Sequence, residues 1–361
     1  MGYGTLPTRT RTDLKGACHP VIPLIQVRDL HVAFALREGV VRAVNGVTFD
    51  VFEDRTLGIV GESGCGKSVT AKAMMQILPS RAAITGGTVR LRRPSGGAGD
   101  AWVDITALEP DRPAMRGILG ADIAMIFQEP MTSFSPVHTI GNQIMESILL
   151  HRDVTKHQAR DIAVDMLRLV RVPMAERRID AYPHELSGGL RQRCMIAMAL
   201  CCEPRLLIAD EPTTALDVTI QAQILALIRR LQGELRMAVM MITHDLGVIA
   251  QVADEVAVMY LGRIVEYASV HELFERPKHP YTSGLLASAP RMSGGRREPL
   301  VSIPGSVPDP FSMPAGCPFH PRCSERIEGL CTGGEPPPCV ELSDGHRVAC
   351  YLYPECREVD A

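Results

Sequence analysis

The sequence contains few aromatic residues and no long apolar segment. Phenylalanine, tryptophan and tyrosine make up 4% of its 361 residues, with a single tryptophan. The longest apolar run without a charge is Cys194–Cys202, far shorter than the roughly 20 residues with which a helix spans a bilayer. Residues 1–23 are polar and lack the apolar stretch of a secretory signal. We therefore expect a flexible N-terminal tail and a cytosolic protein that can still reach a membrane through a partner.

Basic charge is not in excess either. The formal net charge is −3, which argues against nucleic acid as the main partner. The apolar share of 46% and the charged share of 22% are ordinary for a globular protein. The length suits one large or two modest domains, and no segment is repeated.

Cysteine, in contrast, is abundant. The chain has eleven cysteines, and six of them lie between Cys317 and Cys356. In a cytosolic protein such a cluster is more typical of a metal site than of a disulfide framework.

A glycine-rich stretch, Gly61–Ser68, matches the pattern G-x-x-x-x-G-K-[ST]. It follows the apolar run Thr56–Val60, which we predict to be a buried strand, and precedes Val69–Leu78, which we predict to be a helix. This setting is typical of a loop whose backbone N–H groups and following helix bind a phosphate. The alternative is a glycine-rich turn that matches by chance. The pattern predicts binding of a nucleoside triphosphate, with Lys67 on the phosphates and Ser68 on Mg²⁺.

Acidic residues and a histidine follow two further predicted strands. Leu206–Asp210 ends in Asp210 and is followed by Glu211. An aspartate at a strand end can hold Mg²⁺ through water, and the neighbouring glutamate can polarise an attacking water. His244 follows the strand Ala238–Thr243, so it would face the ligand crevice of a parallel sheet, although a single histidine can also be a core or surface residue.

Ser187, Gly188 and Gly189 precede a predicted helix, Cys194–Cys202. Serine is a favourable N-cap, and glycines leave the helix start accessible to an anion. The alternative is simply a capped helix.

The remaining pattern predicts further elements and one irregular segment. Glu129–Pro136 has prolines near both ends and cannot be regular structure. Thr155 and Gln158 form a capping box at the start of a helix. This helix and the one before it lie between the two halves of the nucleotide core, as an inserted helical subdomain would. The further predicted strands are Leu24–Phe34, Val40–Val51, Gly87–Leu91, Asp122–Phe127, Val256–Tyr260 and Arg263–Tyr267, and the further helices are Ile140–His151, Thr155–Val170, Thr219–Leu231, His271–Arg276 and Tyr281–Ala287.

These motifs, in this order, resemble the ATP-binding subunit of an ABC transporter over residues 24–267. The resemblance implies an α/β fold, the P-loop NTPase cassette, with a RecA-like core, an antiparallel β subdomain and a helical subdomain at about 137–203. The nucleotide-binding domain would span residues 24–289. The corresponding family motifs are Walker A (Gly61–Ser68), the Q-loop (Gln128), the signature (Leu186–Leu190), Walker B (Leu206–Asp210) with Glu211, the D-loop (Ala215–Asp217) and the switch histidine (His244).

A narrower resemblance concerns the dipeptide/oligopeptide permease branch. It lies in Gln128–Pro136, His279–Thr282 and Gly316–Cys323. It implies a small cysteine-rich C-terminal extension at 290–361 and ATP hydrolysis that drives solute import at the cytoplasmic face of the inner membrane. The implied partners are two integral membrane permease subunits, an extracytoplasmic solute-binding protein and a second nucleotide-binding subunit, usually in a heterodimer. Dipeptide, oligopeptide, nickel and glutathione remain open as solutes.

The resemblance also implies a role for individual residues. Phe34, with Val41 nearby, would stack on adenine, although Phe34 could instead be a core residue. Glu211 would be the general base, Gln128 would touch the metal or the attacking water, and His244 would contact the γ-phosphate. The phosphates would be surrounded by Ser63, Gly64, Cys65, Gly66, Lys67, Ser68 and Val69, and Mg²⁺ by Ser68, Gln128 and Asp210. Ser187, Gly188, Gly189 and Arg191 would close on ATP held by the second subunit, and Glu129–Pro136 would contact a membrane subunit unless it is an ordinary loop.

For the cysteines, the resemblance implies a ligand set of Cys317, Cys323, Cys331 and Cys350. Four thiolates suit an iron–sulfur cluster or a structural zinc. Since some relatives carry a 4Fe–4S cluster, we favour it over zinc and over free thiols or disulfides. Cys339 and Cys356 are spare and could replace one of the four. Cys65 could be sensitive to oxidation, but a small filler is the simpler interpretation.

Three other classes compete with a transporter subunit. A kinase or GTPase would lack the Ser187–Gly189 signature and the Asp210–Glu211 pair. A soluble ABC protein of DNA repair or translation would carry a coiled coil or a second cassette. A regulator without turnover would not need Lys67, Glu211 and His244.

Overall fold

The structure is a computed structural model that describes residues 22–94, 100–129, 133–214, 216–288, 302–343 and 345–357. Its strands are β1 Ile25–Leu36, β2 Gly39–Val51, β3 Thr56–Val60, β4 Ala82–Pro94, β5 Asp100–Asp104, β6 Ile123–Ile126, β7 Leu206–Asp210, β8 Ala238–Ile242, β9 Glu255–Tyr260, β10 Arg263–Ser269, β11 Val340–Ser343 and β12 His346–Val348. Its α-helices are α1 Lys67–Met74, α2 Pro113–Arg116, α3 Ile140–His151, α4 Lys156–Leu169, α5 Ala175–Arg178, α6 Gly188–Leu200, α7 Val218–Leu235, α8 Leu246–Val252, α9 Val270–Glu275 and α10 Pro280–Ser288.

The larger sheet carries the predicted strand-end residues. Within the described ranges its strand order is β11-β12-β10-β9-β3-β8-β7-β6. The five strands β9, β3, β8, β7 and β6 run parallel to one another. Every residue of β3, β7 and β8 is buried, as expected for a sheet covered on both faces. Because parallel strands end at the same edge, the loops after β3, β7 and β8 meet in one crevice.

The smaller sheet is antiparallel and has the order β2-β1-β4-β5 across the described residues. The predicted pair of N-terminal strands is confirmed as β1 and β2. Strand β4 is much longer than the predicted Gly87–Leu91. Its register with β1 shifts between Arg28 and His31, near Gly87, which has a φ of +83° and lies against the Asp29 carbonyl.

Helices α3, α4 and α6 lie in the chain between β6 and β7 and share one apolar core. Their buried residues in that core include Ile144, Ile148, Ala163, Leu167 and Ile196. The capping box of Thr155 and Gln158 is present at the start of α4. The predicted helix Cys194–Cys202 is too short at its start, because α6 begins at Gly188, directly after the predicted N-cap Ser187.

The described residues after α10 hold mostly irregular turns and join the larger sheet through β11 and β12. Strand β12 pairs with β10 through Glu266 and Val348, and β11 pairs with β12. The predicted domain boundary at 289/290 lies outside the described residues. No helix in the described part of the chain has the length and apolarity needed to cross a membrane.

Candidate nucleotide site and cysteine region

The loop Gly61–Gly66 joins β3 to α1, as predicted. Gly66 has a φ of +105°, and a Cβ atom there would lie 2.4 Å from the Ala43 carbonyl oxygen, so β2 packs directly on the loop. The buried Lys67 Nζ donates to the carbonyl oxygens of Gly61 at 2.7 Å and Glu62 at 2.9 Å. The ammonium group is thus held over the loop by oxygen acceptors that phosphate oxygens could replace.

Cys65 lies inside the same loop. Its thiol is buried, and its Sγ is 3.7 Å from Lys67 Nζ. Burial raises the pKa of the Cys65 thiol, and the Lys67 charge only partly offsets this effect. These features favour the small-filler interpretation, because a reactive cysteine needs exposure and a lowered pKa.

Ser68 and Asp210 meet in the crevice. The Ser68 hydroxyl donates to Asp210 Oδ1 at 2.8 Å. Burial raises the pKa of Asp210, and the Ser68 hydrogen bond opposes the rise. A hydroxyl and a carboxylate are oxygen ligands of the kind Mg²⁺ prefers, and a cation would offset the burial of the carboxylate. The two residues therefore fit the predicted magnesium site.

Glu211 is held by three side chains from different loops. Gln128 Nε2 donates to its Oε2 at 3.0 Å, the Thr214 hydroxyl to the same oxygen at 2.8 Å, and His244 Nδ1 lies 3.1 Å from Oε1. Burial raises the pKa of Glu211, but the hydrogen bonds with His244 and Thr214, together with the charges of His244 and Lys67, outweigh it, so the pKa lies below its ordinary value. The carboxylate is therefore ionised at neutral pH and can accept a proton from a water molecule.

Phe34 and Val41 are cross-strand partners in β1 and β2, and both are half-buried. Ala43 of β2 contacts Gly66 of the loop. Val41 lies two residues before Ala43, which is about 7 Å along a strand. The pair therefore lies near the contact between β2 and the loop, and its stacking on adenine stays a prediction.

The signature residues lie on the α7 side of the molecule. Ser187 occupies the N-cap position of α6, but its side chain makes no capping hydrogen bond. A Cβ atom on Gly189 would lie 3.1 Å from the Ile220 side chain, and Gln192 Nε2 donates to the Pro212 carbonyl at 2.6 Å. Arg191 Nε donates to the Pro183 carbonyl at 2.7 Å. The contacts of Gly189 and Gln192 hold the start of α6 to the segment that follows Glu211, whereas Arg191 holds it to the turn before the helix.

Some predicted residues cannot be placed. Ala215 of the predicted D-loop and residues 130–132 of the Glu129–Pro136 segment lie outside the described ranges. Thr214, which contacts the predicted base, was not predicted from the sequence. A threonine in this position carries no pattern of its own, and only the turn after β7 brings it to Glu211.

The predicted metal site at the cysteines is not supported. Across the described residues, no group of three or more His, Cys, Asp or Glu side chains is arranged to hold a metal ion, and the described cysteines are free thiols. Burial disfavours the thiolate form of two of the four residues, Cys317 and Cys350. Burial, together with the charges of Cys323 and Cys331, raises the pKa of Cys317 to about 11. Burial and the neighbouring thiols raise that of Cys350 to about 12.

The four predicted ligands are nevertheless neighbours. The pKa of Cys350 responds to the charges of Cys317, Cys323 and Cys331, and the backbone of Cys317 donates to the Cys331 carbonyl at 3.0 Å. The Ile327 N–H donates to Cys331 Sγ at 3.3 Å. Cys339 and Cys356, the remaining two cysteines of residues 317–356, lie near each other, since the charge of Cys356 raises the pKa of Cys339.

Two protein families match the chain. Residues 44–214 match the ABC transporter family, and residues 265–331 match the C-terminal region of the oligopeptide/dipeptide transporter family. The protein y4tR of Sinorhizobium fredii, named a probable peptide ABC transporter ATP-binding protein, is 52% identical over 91% of this chain and 94% of its own length. The dipeptide transport ATP-binding protein DppD of Bacillus subtilis is 48% identical over 91% of this chain and 94% of its own. The chain belongs to the ABC transporter ATP-binding proteins.

A solved structure shows the same fold for this ABC protein. The ATP-binding cassette MJ0796, determined as a dimer with ADP and phosphate, matches with a TM-score of 0.59 at 22% identity. The match covers 68% of this chain and 98% of that cassette. The predicted P-loop cassette fold is therefore confirmed. As a member of this family, the ABC protein is an ATPase coupled to transport.

Proposed function

We propose that this ABC ATPase drives the uptake of di- or oligopeptides by hydrolysing MgATP in the crevice at the carboxyl ends of β3, β7 and β8. One observation carries the proposal. Ser68 in the first turn of α1 contacts Asp210 at the end of β7, and their chain neighbours Lys67 and Glu211 would make the phosphate and water contacts. A phosphate-binding surface and a water-polarising carboxylate thus share one opening.

The phosphate side of the crevice would bind ATP. The N–H groups of the loop, including those of Ser63, Gly64, Cys65, Gly66 and Val69 at its end, would surround the phosphates with the start of α1. Lys67 would exchange its carbonyl acceptors for phosphate oxygens, and Phe34 with Val41 would support the adenine ring. Ser68 and Asp210 would hold Mg²⁺, which when bound neutralises charge on the phosphates.

The opposite side would act on water. A water oxygen attacks the γ-phosphorus while the bond to the bridging oxygen breaks, and ADP leaves with that electron pair. Glu211 takes the water proton, and Thr214 keeps this carboxylate ionised by its hydrogen bond. Gln128 and His244 contact the two oxygens of Glu211, so they would orient the carboxylate as well as the water and the γ-phosphate.

A second nucleotide-binding subunit would complete the site. Gly188 lies near Leu216 and Gly189 against Ile220 of α7, and with Ser187 and Arg191 they would close on ATP held by the other subunit. The dimeric state of the related cassette MJ0796 supports this arrangement. We propose a heterodimer on two membrane permease subunits at the cytoplasmic face of the inner membrane, supplied by an extracytoplasmic binding protein.

The proposed peptide class follows from the C-terminal family match at residues 265–331 and from the name of the dipeptide transport protein DppD. The test begins with co-expression of the chain with its membrane subunits. The purified complex is then reconstituted in proteoliposomes. We expect peptide-stimulated phosphate release that Glu211→Gln lowers by about two to four orders of magnitude while ATP binding persists. Glu328→Gln, on the exposed surface, is the matched control.

The outcomes separate the alternatives. Stimulation by nickel or glutathione instead of peptides would change the solute but keep the transporter. Failure to co-purify with any membrane subunit would point to a soluble ABC protein and overturn the transport proposal. A Glu211→Gln variant with full turnover would remove Glu211 as the base.

We further propose that Cys317, Cys323, Cys331 and Cys350 hold a metal centre, either a 4Fe–4S cluster or Zn²⁺. The support is their mutual proximity and the N–H donor to Cys331 Sγ, because such donors stabilise thiolate ligands. Such a centre would cross-link this irregular region. Anaerobic purification with iron, sulfide and zinc analysis tests it. About four irons per chain indicate the cluster, and one zinc indicates a structural site. A chain free of both would overturn the proposal.

A further inference from the structure

Glu62, the second residue of the phosphate-binding loop, is held from three directions. Its carbonyl accepts from Lys67 Nζ at 2.9 Å. Its N–H donates to the Tyr281 hydroxyl at 2.9 Å, and its carboxylate accepts both terminal N–H groups of Arg322, at 2.6 and 2.9 Å. Tyr281 belongs to α10, and Arg322 lies among the turns after it. The restraints on its N–H and on its carboxylate therefore both come from the C-terminal part of the chain.

Arg322 is itself rigidly placed. Its side chain is 4% exposed, and its Nε donates to the Pro304 carbonyl at 3.2 Å. The guanidinium group lies 5.9 Å from the Tyr260 ring centre and 6.0 Å from that of Phe319. Tyr281 packs against both rings, with centre distances of 4.7 and 5.4 Å. One aromatic cluster thus supports both groups that reach Glu62.

The negative charge of the Glu62 carboxylate is unfavourable for the binding of a polyphosphate. It lies within the loop that would receive the phosphates, and its side chain is only 28% exposed, so water screens it incompletely. An unpaired carboxylate there would repel a polyphosphate. Two parallel N–H···O bonds to a buried guanidinium are the arrangement that neutralises a carboxylate most effectively.

We propose that Arg322 is a positioning residue for nucleotide binding, which neutralises Glu62 and, together with Tyr281, holds the phosphate-binding loop in its anion-binding conformation. The C-terminal region would thereby set the ATP affinity of the cassette. The inference rests on the proposed role of residues 61–68. Arg322 precedes Cys323, so any rearrangement of the cysteine turns would reach the loop through this ion pair.

Equilibrium binding of ATP to the full-length chain tests the inference, with Arg322→Met, Glu62→Gln and the double variant. We expect Arg322→Met to raise Kd for ATP by about tenfold, because the carboxylate is left unpaired. Glu62→Gln in the same chain should restore Kd to within about threefold of wild type, because the repulsion is gone. High salt should reduce the defect of the single variant. Arg326→Met, an exposed arginine in the same region, is the matched control.

Failure of the proposed function is recognised separately, because the wild-type chain would then bind no ATP. Failure of the inference is recognised by comparing the variants with a wild-type chain that does bind ATP. A double variant as weak as Arg322→Met would overturn the electrostatic role, and a single variant that binds like wild type would overturn the inference entirely. If thermal melting shows that Arg322→Met does not fold, Arg322→Gln replaces it. That variant removes the charge but keeps a hydrogen-bond donor, and we expect the same rise in Kd of about tenfold, whereas binding like wild type contradicts the proposal.

Discussion

Gly66 occupies a backbone conformation and a space that admit no side chain. Its φ is +105°, and a Cβ atom added there would lie 2.4 Å from the Ala43 carbonyl oxygen, so alanine is strained and must push β2 away from the loop. We expect Gly66→Ala to weaken ATP binding by at least about tenfold and to lower the melting temperature. Fluorescence titration with a nucleotide analogue and thermal melting measure both effects.

Gly233 offers a matched control for that prediction. It lies in α7, and no atom is within 4 Å of its Cβ position. Gly233→Ala should therefore stabilise the chain by about 0.5–1 kcal/mol, as in other helix interiors, with unchanged ATP binding. Equal damage from both variants would contradict the argument from the contact with Ala43.

The hydrogen bond from Thr214 to Glu211 predicts a pH effect. This bond favours the ionised carboxylate and helps to keep the pKa of Glu211 below its ordinary value. Removing it in Thr214→Val raises that pKa, so the base is protonated at a higher pH on acidification. The acid limb of kcat/KM for ATP should move to higher pH, whereas Thr106→Val, next to Asp104, should leave it in place. A shift to lower pH would contradict the assignment.

At this scale, sequence reasoning located the predicted phosphate and water-activating residues but not what restrains them. Asp210, Glu211 and His244 were predictable because they follow apolar strands whose ends meet at one sheet edge. Thr214 was not predictable, because a threonine there belongs to no recognisable motif. The Glu62–Arg322 pair was not predictable either, since it joins the loop after β3 to a turn far along the chain and depends on tertiary packing alone.

Among the elements, α6 raises the question of what Ser187 does. This residue occupies the N-cap position without a capping bond, whereas Thr155 caps α4 with both bonds of the capping box. Thr155→Ala should therefore cost about 1 kcal/mol of folding free energy and leave turnover unchanged. Ser187→Ala should cost little stability.

If Ser187 instead contacts ATP across the proposed dimer, Ser187→Ala should slow hydrolysis by about a hundredfold in the assembled complex. Chemical denaturation and phosphate release measure the two quantities separately. A stability loss without a rate loss in Ser187→Ala would identify a helix cap and contradict the composite site.

Element boundaries show where local pattern was insufficient. The strands β3, β7 and β8 were predicted almost residue for residue, because buried parallel strands are uniformly apolar. The start of α6 was missed because Arg191 and Arg193 interrupt the apolar run, although Arg193 donates to the Val170 carbonyl. Helices α2 and α5 have four residues each, too few for a periodic pattern.

For the whole molecule, the C-terminal region is joined to the ATPase core rather than appended to it. Strands β11 and β12 extend the larger sheet beside β10, and Arg322 reaches the phosphate-binding loop. The resemblance to the permease branch implied a separate extension at 290–361. The pairing of β12 with β10 could not be predicted from the sequence, because β12 has only three residues and its partner strand is determined by tertiary packing.

Glu266 in β10 is the buried junction of these parts. It is fully buried, its carboxylate accepts the N–H groups of Lys278 at 2.6 Å and His279 at 2.9 Å, and His346 Nε2 of β12 lies 2.8 Å away. Glu266→Ala leaves these groups buried without their partner, and we expect a loss of about 3–5 kcal/mol.

Because the junction links the sheet to the C-terminal region, we expect the wild-type chain to unfold in one calorimetric transition that includes both. Glu266→Ala should lower the melting temperature of that transition and expose the C-terminal region to limited proteolysis. Glu275→Ala, an exposed residue of α9, should change neither. Two wild-type transitions, of which only the earlier responds to Glu266→Ala, would show that the C-terminal region folds independently, and the coupling from Arg322 to the phosphate-binding loop would then lack the rigid support that it requires.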